Sequence, residues 1–189
     1  MSKQHMYMVA VLVFAVGMIG GRMLSDTFFK SDSAMPTPVA TAEAAGGLST
    51  QRTRRPDFSL PDMQDKTHHV NEWDGKVLVV NFWATWCAPC RTEIPFFNTL
   101  QEKYADRGVQ FIGVALDDKK AVERFMKIIP IDYPVLVGDD SAIPIAKSYG
   151  NLEGVLPYTV FVDRKGMIAS IAQGGLSEEV TEKTLQKLF

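Results

Sequence analysis

Cysteine is almost missing from this chain: there are two among 189 residues, both in one short motif. Two thiols with two residues between them are too few and too close to knit the disulfide framework that stabilises small secreted folds. Histidine is scarce as well: His5, His68 and His69 all precede the cysteines. Neither sign of charge dominates, since 20 Lys and Arg against 22 Asp and Glu leave a net charge of −2. That balance offers no electrostatic footprint for a polyanion such as nucleic acid. No internal repeat is visible. The composition is otherwise globular, with 46% hydrophobic and 22% charged residues, and the length allows one well-buried domain with appendages.

Long apolar runs are absent except at the N-terminus. Residues 6–21 are apolar or small throughout, with Lys3 before them and Arg22 after. Arg22 can snorkel, which lets Met23 and Leu24 extend the run beyond the roughly 17 residues a spanning helix needs. A cleaved signal peptide would need a small-x-small site just past the run. The clearest sites, Ala40-Thr41-Ala42 and Ala42-Glu43-Ala44, lie too far downstream. Residues 1–24 therefore read as an uncleaved membrane anchor. Lys3 favours a cytoplasmic N-terminus, although Arg22 weakens the bias, so the bulk of the chain is expected in an oxidising, extracytoplasmic space. Residues 25–55 are rich in Ala, Ser, Thr, Pro and Gly and have no hydrophobic period. They read as a flexible linker that does not pack, with a reach of roughly 30 Å. Its basic end, Gln51-Arg52-Thr53-Arg54-Arg55, reads as solvated. Residues 56–189 read as the folded domain.

Within that domain, 57–62 and 66–70 read as short edge elements. Trp73-Asp74-Gly75-Lys76 reads as a turn into a strand over 77–83. The strand is apolar on both faces, the mark of a central position covered by helices on either side. A helix is expected from 87 to about 105, kinked at Pro95 and ended before Gly108. Ile94, Phe97, Leu100, Gln101 and Tyr104 trace its inner stripe, with Gln101 the polar break. Strands at 109–116, 133–137, 158–162 and 167–172, and helices at 119–127, 143–149 and after Ser177, complete the pattern. The alternation predicts an α/β domain with a mixed central sheet flanked by helices, its last hairpin making one pairing antiparallel. His68 and His69 fall on an exposed edge.

Trp86-Cys87-Ala88-Pro89-Cys90 lies where the central strand hands over to the helix. Open α/β sheets place their sites at the carboxyl ends of strands, and the dithiol falls there. At a helix N-terminus, unpaired N–H groups and the helix dipole favour a thiolate. Cys87 is thus the expected nucleophile and the more exposed thiol, its pKa lowered from about 8.5 toward about 7. Cys90, one turn on and more buried, is placed to resolve a mixed disulfide. The bland alternative, a pair of inert core thiols, fits badly with Pro89 and a helix start. Ala88 and Pro89 add no charge and no histidine stabilises a thiolate there. The couple is therefore expected to be reducing, nearer roughly −270 mV than the roughly −120 mV of a strong oxidant. Pro157 is expected in cis, because a trans proline entering the strand at 158 would disturb pairing.

These features together resemble the thioredoxin superfamily, in its membrane-anchored TlpA/ResA-like branch. The carrying residues are Pro56-Asp57-Phe58-Ser59-Leu60-Pro61, the stretch 79–91 with its dithiol, Pro95, and Gly154-Val155-Leu156-Pro157-Tyr158-Thr159. The resemblance covers 56–189, and 117–150 looks like the insertion of this branch. It implies a thioredoxin-like fold with an N-terminal hairpin. It implies a thiol–disulfide oxidoreductase of the protein-disulfide reductase type, with no cofactor. The Pro157 loop is implied to face the dithiol and to offer the backbone of Leu156 to an extended substrate, with Trp86 and Pro89 on the same surface. Trp86 is either an apolar lip over the thiols or a core residue. Within this branch a glutamate matched by Glu93 is associated with moving the Cys90 proton, while Asn81 stands where thioredoxin has a buried acid. Two readings of Glu93 stay open: a partly buried carboxyl of raised pKa that shuttles the proton, or a solvated helix glutamate. The implied partners are disulfide-containing envelope proteins, apocytochrome c among them, a membrane electron donor of the DsbD/CcdA kind, and the inner membrane itself.

Rival readings differ at identifiable residues. A copper chaperone on this fold would hold soft copper(I) with both thiols and a downstream histidine, which this chain lacks. A peroxidase of the peroxiredoxin type wants Thr or Ser three residues before its cysteine, where Ala84 stands. A disulfide-forming oxidant would use the same residues in reverse.

Overall fold

The computed structural model describes residues 48–49 and 52–189. The anchor expected at 1–24 and most of the linker lie outside the described residues. Among the described residues no helix is long and apolar enough to cross a membrane. In chain order the strands are β1 (Leu48–Ser49), β2 (Ser59–Pro61), β3 (Thr67–His69), β4 (Val77–Trp83), β5 (Val109–Ala115), β6 (Val135–Val137), β7 (Tyr158–Val162) and β8 (Ile168–Gln173). The α-helices are α1 (Ala88–Tyr104), α2 (Lys119–Met126), α3 (Ala142–Ser148) and α4 (Glu178–Gln186). The main sheet runs β1-β8-β7-β4-β5-β6, and β2 and β3 form a separate hairpin.

All seven residues of β4 are buried, because apolar side chains meet it on both faces. Val77, Val79 and Trp83 point into one cluster with Cys87, Cys90, Ile94 and Phe97, and the α4 residue Leu185 belongs to the same cluster. Leu78, Val80 and Phe82 point into the other, with Tyr149 and Tyr158. Asn81 is the polar residue of the strand, and its Nδ2 donates to Thr159 Oγ1 on β7 at 3.0 Å. Helix α1 starts at Cys87, its N-cap, with Pro89 in the first turn, where a missing N–H goes unused. A 3₁₀ turn at Ala105–Arg107 extends it, and Gly108 at φ +75° reverses the chain into β5.

One expectation is widened and one corrected. The final hairpin is antiparallel as expected, but it is not alone: β7 also runs antiparallel to β4, and β1 to β8, while β4, β5 and β6 are mutually parallel. The direction of β7 decides the site. Tyr158, its first residue, pairs with Phe82 near the end of β4. The loop before β7 therefore arrives at the edge where the dithiol sits; a parallel β7 would have carried it to the opposite edge. The correction concerns the linker. Leu48 and Ser49 pair with Ala172 and Ile171, and Arg55 N–H donates to Gly166 C=O at 2.9 Å. Arg55 is buried rather than solvated, ion-paired to Asp57 at 2.6 Å and Asp74 at 2.5 Å. Backbone pairing along β8 and these two carboxylates hold a segment that has no hydrophobic period of its own.

Candidate active site

Cys87 and Cys90 are joined as a disulfide at the carboxyl end of β4. Cys87 caps the helix through its sulfur, which accepts the Cys90 N–H at 3.3 Å. That contact puts the Cys87 sulfur at the positive end of α1, where negative charge is favoured. Cys87 is 4% exposed and Cys90 1%. The expected ranking holds, but Cys87 is not an exposed thiol in this oxidised state. Its sulfur is turned toward Cys90, and the residue belongs to the buried cluster of Trp83, Ala84 and Ile94, against which Leu156 packs. Trp86 is 70% exposed, so it is not a core residue.

The peptide bond Leu156–Pro157 is cis. Pro157 C=O accepts the Gly174 N–H at 2.9 Å, which ties this loop to the one between β8 and α4. Gly175 in that second loop lies against Pro89: a Cβ added there would stand 3.4 Å from the Pro89 Cβ. A side chain larger than alanine would press on the dithiol turn. A hollow of about 220 Å³ is lined by Trp86, Leu156, Ile143, Asp139 and Lys147 among others.

Glu93 lies one helical turn after Cys90 and is 1% exposed. The alternative of a solvated helix glutamate is therefore set aside. Its Oε1 accepts the main-chain N–H of Leu176, and its Oε2 has no partner among the described residues. Burial pushes its pKa up to about 8, while the Leu176 N–H pulls the other way. Burial raises the pKa of the Tyr133 hydroxyl, and the charge of Glu93 adds to that shift. Such a carboxyl exchanges its proton near neutral pH, the range in which a thiol one turn away must lose its own.

Sequence reasoning missed the Gly174–Leu176 loop, because its contribution is made by backbone groups. It also missed Thr85 and Asp117, whose side chains meet across 32 positions of sequence. His68 was expected on an exposed edge; instead its ring bridges Asp62 at 3.0 Å and Glu72 at 2.9 Å and stacks on Trp73. Among the described residues no group of three or more His, Cys, Asp or Glu side chains is arranged to hold a metal ion.

The chain matches the AhpC/TSA family over residues 52–171. The thiol-disulfide oxidoreductase ResA of Geobacillus thermodenitrificans is 31% identical over 149 residues, covering 78% of this chain and 80% of that protein. ResA of Geobacillus kaustophilus is 28% identical over 191 residues, covering 100% of this chain and 99% of its own length. The crystal structure of a thiol:disulfide interchange protein of the thioredoxin family from Chlorobium tepidum superposes with a TM-score of 0.65 at 29% identity, over 74% of this chain and 98% of that one. With a dithiol capping a helix at the end of a central strand, opposite a cis-proline loop, the chain belongs to the AhpC/TSA family and is a thioredoxin-fold thiol–disulfide oxidoreductase of the ResA type.

Proposed function

We propose that this protein works as a reductase of disulfides in proteins outside the cytoplasm, held to the inner membrane by residues 1–24. The observation that carries the reading is the buried Glu93, one turn from Cys90, with a pKa raised to about 8. A resolving thiol buried beside a neutralisable carboxyl can shed its proton without exposing a second charge to a low dielectric. The reduced protein begins with Cys87 as thiolate at the α1 N-terminus. Cys87 attacks one sulfur of the client disulfide; that S–S bond breaks, and the leaving sulfur takes a proton. In molecules whose Glu93 is ionised, a fraction that grows as pH approaches about 8, Cys90 gives its proton to Glu93 and attacks the Cys87 sulfur, closing the internal disulfide and releasing the second client thiolate, which takes the proton in turn. Two electrons pass from the dithiol to the client, and a donor of the DsbD/CcdA kind returns them.

Trp86, Pro89, Leu156 and Pro157 would bind the client. The exposure of Trp86 and the approach of the Pro157 loop to the dithiol edge support that assignment. The likeness to ResA of Geobacillus kaustophilus runs the whole length of this chain, N-terminal segment included, which supports the anchor. Apocytochrome c, with two thiols in its haem-attachment motif, is the client class this placement favours. The test is a Cys90→Ser variant expressed in a bacterial envelope, whose mixed disulfides cannot resolve. Envelope proteins trapped on Cys87 of the variant, together with a potential below about −220 mV for the unaltered Cys87–Cys90 pair, are the expected result. A potential above about −170 mV would assign the protein to disulfide formation instead.

A further inference from the structure

The turn between β4 and α1 carries the reacting sulfur, and one side chain from another element ties it down. Asp117 follows β5, the parallel neighbour of β4, and Leu116 N–H donates to Trp83 C=O at 2.8 Å, so the two strand ends leave the sheet together. Asp117 Oδ2 accepts both the N–H of Thr85 at 3.1 Å and its hydroxyl at 2.5 Å. Oδ1 accepts the N–H of Asp118 at 2.9 Å, which orients the carboxylate. Thr85 stands two residues before Cys87, whose own N–H closes a turn on Ala84 C=O at 3.2 Å. No other side chain among the described residues bonds to the backbone of Ala84, Thr85 or Trp86.

We propose that Asp117 is a positioning residue for thiol–disulfide exchange: by holding both donors of Thr85 it fixes the turn that aims the Cys87 sulfur at its substrate. It touches no reacting atom and acts through Thr85. Exchange requires attack in line with the bond being broken, so a loosened turn lowers the rate even when the sulfur is fully ionised. Asp117 also brings a negative charge to the turn, opposing the helix dipole that favours the thiolate. Other charged groups near this turn in sequence or lining the hollow that Trp86 also lines are Arg91 and Glu93 in the first turns of α1, Asp118, Lys119 and Lys120 after β5, and Asp139, Asp140 and Lys147. None of these hydrogen bonds to the turn.

The experiment compares the reduced full chain with Asp117→Asn, Asp117→Ala, Thr85→Val and Thr85→Ser variants. Rates with a small aromatic disulfide are followed against pH, which separates the plateau rate of the thiolate from the pKa of Cys87. Asp117→Ala and Thr85→Val should lower the plateau about tenfold, well within what a misplacement near 1 Å costs. Thr85→Ser should restore it. Asp117→Asn keeps an acceptor oxygen and should hold the plateau within about threefold, while the Cys87 pKa moves down as the charge is lost. A plateau in Thr85→Val and Asp117→Ala within about twofold of the parent overturns the proposal, as does a plateau loss that Thr85→Ser leaves unrestored. If Asp117→Ala does not fold, Thr85→Val and Asp117→Asn decide the matter.

Discussion

Replacing Glu93 with glutamine should change how the stability of the oxidised protein depends on pH. An ordinary glutamate titrates near 4.5, whereas burial pushes Glu93 up to about 8. In that window the folded chain keeps a proton that the unfolded chain has released. Stability therefore falls as pH rises from about 4.5 to about 8, and this group adds no slope outside those limits. The gap is about 3.5 units, worth about 5 kcal/mol at 1.36 kcal/mol per unit. Glutamine removes the titration. Its oxygen still accepts the Leu176 N–H, but its amide brings two N–H donors to the place of an Oε2 that has no partner among the described residues, against the single O–H of the protonated acid, a pH-independent cost of about 1–3 kcal/mol. The variant should thus be the less stable protein at about pH 4.5 and the more stable one at about pH 9, with the curves crossing between about pH 5 and 7. Urea unfolding of both oxidised proteins across this range, followed by tryptophan fluorescence, measures the difference directly, and titrations common to both cancel. A difference constant to within about 1 kcal/mol from about pH 5 to 9 would refute the claim that the fold holds this carboxyl protonated.

Two other outcomes follow from the same geometry. Trp86→Ala removes a side chain that is 70% exposed, so stability should move by no more than about 0.5 kcal/mol while reduction of a protein disulfide slows several-fold; an unchanged rate would remove Trp86 from the client surface. The His68 ring faces a carboxylate oxygen through each nitrogen, so the protonated form fits best, and its pKa is raised, first by the hydrogen bond to Glu72 and then by that to Asp62. That stabilisation is fully present below about pH 6.5 and is lost as pH rises through the raised value, so His68→Gln should destabilise more at about pH 5.5 than at about pH 9.

What could be read from the chain depended on where each partner lay. Strand β4 was legible because burial on both faces leaves an unbroken apolar run, and the start of α1 because Cys87 and Pro89 are residues a helix N-terminus accepts. The direction of β7 was not, since a strand buried along its whole length reads the same in either direction. Its antiparallel pairing to β4 is what brings the Pro157 loop to the edge of the sheet that carries the dithiol. Arg55 was misread as solvated because its burial depends on Asp74, 19 residues on, and on a backbone bond to Gly166. Glu93 was placed correctly on the face of Cys90, but helical spacing alone does not show whether a face is covered.

The clasp on Glu93 has a consequence for how such sites are found. Its donor is the peptide nitrogen of Leu176, a group that nineteen of the twenty amino acids supply equally well. Drift at position 176 leaves the clasp in place, so related sequences would carry no covariation to betray it. An alanine scan would pass over it for the same reason. Proline, which alone deletes the nitrogen's hydrogen, is the substitution that would expose it, and scanning loops beside buried carboxyls with proline should uncover others of this kind.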